Sequence, residues 1–344
     1  MLTVIIIIIF FSILILIHEL GHFLLSKKFG LFVEEFGLGL PPRAWGKKLG
    51  ETIYSLNWLP FGGFVKIAGE NREEEGELPE NISKEKVFYN LKIWKRSLII
   101  IGGVIMNFIL GWILISIIFM AGIPKAVFIA DVSANTPASQ AGLMANDKVL
   151  GFTDVDGFIS YVNQNKGKEI TLRIERGGNE VDVRVAPREN PPQGQGALGV
   201  ALIEGGQEKE GFFAAIWNAL KLSGNIFAMI FVGIFNLIKL AILGKAGLEG
   251  VAGPVGIVKM TAQVSHLGFL YLAQLMALIS INLAAINIFP FPALDGGRLL
   301  FLAIEKIKGT PLPRRFEGYA NAIGMGLLLL LMAIITIKDI GRLL

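Results

Sequence analysis

Residues 2–25 form an apolar run that carries His18, Glu19 and His22, and this combination restricts the fold more than any other feature of the chain. A helix crosses the hydrocarbon core with about 20 apolar residues. A charged side chain near the centre of such a helix costs about 2.5–3.5 kcal/mol on insertion scales, so Glu19 needs a protein or aqueous neighbour. The run has no basic stretch ahead of it and no small-residue cleavage site, so a retained transmembrane helix is expected rather than a secretory signal.

Three further stretches read as spans: 98–120, 322–337 and 270–289, the last with Gln274, Asn282 and Asn287 as an interior-facing stripe. With 53% hydrophobic and 17% charged residues, the chain is too apolar for an ordinary cytosolic enzyme. It has no Cys, which excludes disulfides, thiolate metal ligands and a Cys nucleophile. Its net charge of +4 is too slight to point to nucleic acid and fits membrane topology better. Lys27 and Lys28 follow the first span, and Lys92, Lys95 and Arg96 precede the second, which places the segment between them in the cytoplasm and the N-terminus outside. Lys338 and Arg342 then fall on the outer side, against that rule.

The expected architecture is an α-helical multi-pass membrane protein with about four spans. Residues 1–26 form the first span, and 27–96 a cytoplasmic segment with a β-hairpin around Leu59–Gly63. Residues 97–121 form the second span, and 125–188 an α+β module outside. The stretch 189–268 holds a linker at 190–196 and, over 212–243, an interfacial amphipathic helix or a pair of them. The third and fourth spans occupy 269–297 and 318–338. No internal repeat is visible.

His18-Glu19-Leu20-Gly21-His22 places two imidazoles four residues apart, on one helix face, where both can grip a single Zn²⁺. The intervening Glu19 is then placed to take a proton from water acidified by the metal. A catalytic zinc needs a third protein ligand. The metzincin pattern would want Gly and His where Leu25 and Lys28 stand, and His266 reads as a lone surface His. Glu34 and Glu35 lie in the exit segment. Asp295, in Asn287-Ile288-Phe289-Pro290-Phe291-Pro292-Ala293-Leu294-Asp295-Gly296-Gly297, follows two helix-stopping prolines at membrane depth, where irregular backbone must be buried or line a cavity. A capping Asp at a simple turn is the alternative. If Asp295 meets the His pair, its helix must run the same way as the first, and 212–243 must cross an even number of times.

The chain resembles the bacterial branch of the site-2 protease family of intramembrane zinc metalloproteases. The resemblance rests on His18–His22, on Asn287–Gly297, on Gly103-Val104-Ile105-Met106-Asn107, on Gly62-Gly63-Phe64-Val65-Lys66 and on Gly253-Pro254-Val255-Gly256-Ile257. It implies that His18, His22 and Asp295 ligate Zn²⁺ and that Glu19 is the catalytic base. It also implies that Asn287, Pro290, Asn107, Gly62, Gly63 and Phe64 bind the substrate, the hairpin being a membrane-dipping element that pairs with an unwound substrate strand. The implied substrates are single-span membrane proteins, such as anti-sigma factors, and remnant signal peptides. The implied location is the bacterial inner membrane, with the active site near the cytoplasmic side. The outer module resembles a PDZ domain through Val132–Ala138, Gln140–Leu143 and Asp147–Val149. Its stretch Phe152–Phe158 departs from the usual turn, so a size filter stands beside capture of a C-terminus. Two other classes compete: a transporter or proton relay in which His18, Glu19 and Asp295 titrate, and a membrane scaffold with a decayed site.

Overall fold

A computed structural model describes residues 2–70, 82–192, 194–244, 252–265 and 268–341. His266, Arg342 and most of the acidic stretch after Glu70 lie outside the described residues.

Among the described residues, five helices are long and apolar enough to cross a membrane by length and composition: α1 (Leu2–Lys28), α2 (Ile93–Ala121), α5 (Phe212–Ile242), α7 (Phe269–Asn287) and α9 (Arg314–Gly341). The Ile-rich α1 is helical although β-branched residues are modest helix formers. In an apolar surround the backbone must bond within its own segment, and that requirement overrides propensity. Two shorter helices, α6 (Pro254–Ser265) and α8 (Asp295–Lys308), complete the membrane unit, together with β1 (Val33–Leu49) and β2 (Thr52–Ile67).

Of the alternatives for 212–243, the structure has the single helix: residues 212–242 are continuous, giving five span-length helices among the described residues where about four were expected. The stretch contains no Pro, and its glycines, Gly224 and Gly233, have open space around them, so each costs local stability without breaking the helix. The ring contacts of Phe227 with Phe108, and of Phe231 and Phe235 with Phe289, lay α5 along α2 and the end of α7.

Leu275 of α7 packs with Phe10 and Leu14 of α1, while Asp295 beyond its end reaches His18, so α7 runs parallel to α1. The antiparallel α2 meets α1 at main-chain distance: a Cβ on Gly21 would lie 2.1 Å from the Gly102 carbonyl oxygen. Gly111 is similarly pressed against Ile281 and the Ala277 carbonyl of α7, and Ser280 Oγ donates to the Asn107 carbonyl (2.7 Å). At the other end of the bundle Phe23, Leu31, Val33, Ile67, Ile99 and Leu302 form a core that joins α1, α2, α8 and the sheet. Asp339 of α9 accepts the N–H groups of Gly253 (2.9 Å) and Gly256 (2.8 Å), capping the start of α6.

β1 and β2 are long and bent. Leu38 opposes Gly63 in one register and Leu56 in another, while 43–49 pairs with 52–57. Segment 33–40 is therefore sandwiched, and 63–67 is an edge with no further strand beside it among the described residues. Trp45 and Trp58 are 61% and 71% exposed at the far end of this sheet.

The second unit, residues 116–217 with 266–271, holds an antiparallel sheet of order β6-β5-β4-β3-β7, built from β3 (Ile123–Val132), β4 (Lys148–Val149), β5 (Ile170–Arg176), β6 (Asn179–Val185) and β7 (Val200–Gln207). The short α3 (Pro137–Gln140) starts on a Thr136 cap, and α4 (Val155–Gln164) buries Phe158 and Val162 on a core that includes Val127, Ile129, Leu172 and Ile174. Asp154 caps α4 through the Gly157 N–H (2.6 Å). The fully buried Asp147 accepts two hydrogen bonds from Arg176 (2.7 Å each), which hold the guanidinium pKa above its ordinary value, and one from the Met144 N–H (2.8 Å). The expected module boundary at 188 is corrected: β7 pairs with β3, so the module runs on to Gln207 and the expected linker falls inside it. Half-exposed edge positions and the Gly205-Gly206 pair hid this strand.

Candidate active site

α1 supplies His18, Glu19 and His22 to the site. His18 and His22 share a face, and their Nε2 atoms lie 3.2 Å apart. Asp295 opens α8. The loop before it is drawn tight, because a Cβ on Gly296 would meet the Ile288 and Phe289 carbonyls at 2.2 Å, and Ala293 adopts φ +76° with its N–H given to Asn321 Oδ1 (3.1 Å). The outcome is that Asp295 Oδ2 stands 3.3 Å from His18 Nε2 and 3.5 Å from His22 Nε2.

These spacings fit a metal. Donors at about 2.0–2.1 Å from a tetrahedral zinc are separated by about 3.4 Å from one another. Asp295 Oδ2 is buried without a hydrogen-bond partner, a costly state for a carboxylate that a cation would relieve. His22 Nδ1 is 2.9 Å from the Ile99 carbonyl, which fixes the proton on Nδ1 and turns the Nε2 lone pair toward the cluster. Among the described residues no other group of three His, Asp or Glu side chains is close enough to hold an ion.

A cavity of about 250 Å³ opens on this cluster, lined by His18, Glu19, His22, Phe64, Val65, Glu70, Asp295 and Arg298. Gly63 brings the edge of β2 against α1, where an added Cβ would lie 3.4 Å from Glu19 Cγ, and Gly62 turns the chain with φ +101°. Glu19, Phe64, Gly63 and the three metal-ligand candidates are thus gathered in one place. Asn287 and Pro290 are half-buried and exposed respectively and do not line the cavity, and Asn107 lies behind His18 rather than in it.

A profile of peptidase family M50 matches residues 6–331. The chain belongs to that family. It is 35% identical to a protein of Clostridium perfringens named as a zinc metalloprotease, over 96% of both chains. It is 30% identical to the regulator of sigma-W protease RasP of Bacillus subtilis, over 99% of both. The zinc metalloprotease RasP of Oceanobacillus iheyensis is 28% identical over the full length of both. This M50 peptidase is an intramembrane zinc metalloprotease, and the transporter reading falls.

The paired Glu70 and Arg298 of the cavity wall were not expected. A signal existed for Arg298, three residues after Asp295 and so on the same face of α8. Nothing comparable marked Glu70, which depends on a partner 228 residues away.

Proposed function

We propose that His18, His22 and Asp295 are the zinc ligands and Glu19 the general base of an endopeptidase acting on single-span membrane proteins. The convergence of three donor atoms at 3.2–3.5 Å around an orphaned carboxylate oxygen carries this reading. Zinc, when bound, supplies the positive charge that acidifies water and polarises the scissile carbonyl. Glu19 takes a proton from the attacking water and delivers it to the departing amine nitrogen as the C–N bond breaks. A peptide bond within a helix is shielded, so the substrate is drawn out and held extended. The free edge at Gly63–Val65, next to Glu19, suits that task by strand addition. Phe64 and Val65 then flank the scissile residues, with Gly62, Asn287 and Pro290 further along the path.

The exposed Trp45 and Trp58 support insertion of the sheet's far end into the bilayer interface. The outer module is read as a PDZ domain, because its edge strand β7 touches α4, and a sheet edge next to a helix suits strand addition by an extended peptide. By likeness to the Bacillus relative named for sigma-W regulation, the substrates are membrane-bound anti-sigma factors, with remnant signal peptides as a second group. The basic residues flanking α1 and α2 support a location of the active site near the cytoplasmic side of a bacterial inner membrane.

The test uses the full chain purified in detergent. Glu19→Gln should keep about one zinc per chain and lose cleavage of a single-span substrate by about 10²–10⁴-fold. His22→Ala should lose the zinc. Cleavage by Glu19→Gln at the normal rate, or unchanged zinc in His22→Ala, overturns the assignment.

A further inference from the structure

One stripe of α2 attends both imidazoles. Ile99, Gly103 and Asn107 follow one another at intervals of four and so share a helix face. The Ile99 carbonyl accepts from His22 Nδ1, and Gly103 leaves room for both rings. The Asn107 side chain meets His18 Nδ1 at 3.3 Å and is 1% exposed. Its Nδ2 atom faces that nitrogen, while its Oδ1 is buried with no partner.

The two orientations of this amide select two tautomers of His18. An amide that donates to Nδ1 forces the proton onto Nε2, the atom that faces Asp295 and His22, and closes that atom to a metal. An amide that accepts from Nδ1–H leaves the Nε2 lone pair free. Oxygen and nitrogen of an Asn amide are told apart by their partners. Half a turn about the last torsion brings the orphaned Oδ1 to the place where a metal-ligating His18 presents its proton. His22 already follows this rule with a carbonyl acceptor.

We propose that Asn107 is a positioning residue for the metal: its Oδ1 accepts from His18 Nδ1–H and thereby reserves His18 Nε2 for zinc. The inference rests on the ligand assignment above and replaces the expectation that Asn107 touches substrate.

Zinc affinity of the full chain in detergent, measured by competition with a chromogenic chelator, tests it on wild type, His18→Ala, Asn107→Leu and Asn107→Asp. Loss of an outer partner of a metal-bound His costs about 10–100-fold in metal affinity, and Asn107→Leu should show a loss of that size. Asn107→Asp keeps an acceptor in place and should hold zinc close to the wild-type level. Saturating zinc should restore the kcat of Asn107→Leu with KM unchanged. The proposal is overturned if Asn107→Leu binds zinc normally, if Asn107→Asp is as weak as Asn107→Leu, or if the defect lies in KM alone. Should Asn107→Leu not fold, Asn107→Asp decides alone, because a donating role predicts its failure. If His18→Ala matches wild type, the ligand assignment itself has failed; if only the Asn107 variants behave unexpectedly, this proposal has.

Discussion

A methyl group at residue 103 has nowhere to go. The Cβ of an alanine there would lie 2.5 Å from His22 Nε2 and 2.6 Å from His18 Cε1, so either both rings leave their places or α2 withdraws from α1. Gly103→Ala should therefore abolish zinc retention, read as metal per chain, while Gly326→Ala, with open space around it, should leave it unchanged. At this scale the His pair and Glu19 between them were legible as a candidate site, because a spacing of four on a helix is a local geometric statement. Asp295 was legible only as one carboxylate among several, since its approach to His18 spans most of the chain. Asn321, which holds the Ala293 N–H, and Glu70 were silent, because an exposed-looking Asn or Glu takes its role from a partner that only the fold brings near.

Between elements, the buried pair of Arg96 on α2 and Glu305 ties α2 to α8, the helix whose first residue is Asp295. Removing one partner leaves an uncompensated buried charge, typically about 3–5 kcal/mol. Glu305→Ala should lower the thermal midpoint in detergent and weaken zinc retention together. The double change Arg96→Met with Glu305→Leu should recover much of the midpoint, since it leaves no charge stranded. Four of the long helices were legible as apolar runs of span length. For α5 the alternatives of one helix or two stayed open because Asn218, Lys221, Asn225, Asn236 and Lys239 give it a polar stripe, and a stripe does not reveal whether one helix or two carries it. β7 was missed because an edge strand with exposed positions lacks the clean alternation that marks a half-buried one.

Across the whole molecule, His18, His22 and Asp295 all belong to the membrane unit, and the second unit contributes none of them. A chain with 123–207 replaced by a short flexible linker should keep about one zinc per chain. If the module filters by size, the same chain should cleave substrates with an intact bulky outer domain that the full protein refuses, measured with a matched pair of long and trimmed substrates. Equal refusal by both chains would assign selection to the membrane unit.

The main-chain contact of Gly21 with Gly102 also bears on how such a chain can change over generations. A Cβ on either residue strikes the carbonyl of the other, at 2.1 Å and 2.7 Å, so no side chain at one position can be accommodated by trimming its counterpart, which has nothing left to trim. Compensating pairs, the usual route by which packed positions drift, do not exist here. Sequence variation has to flow around this point, and the candidate metal site one turn away inherits its immobility.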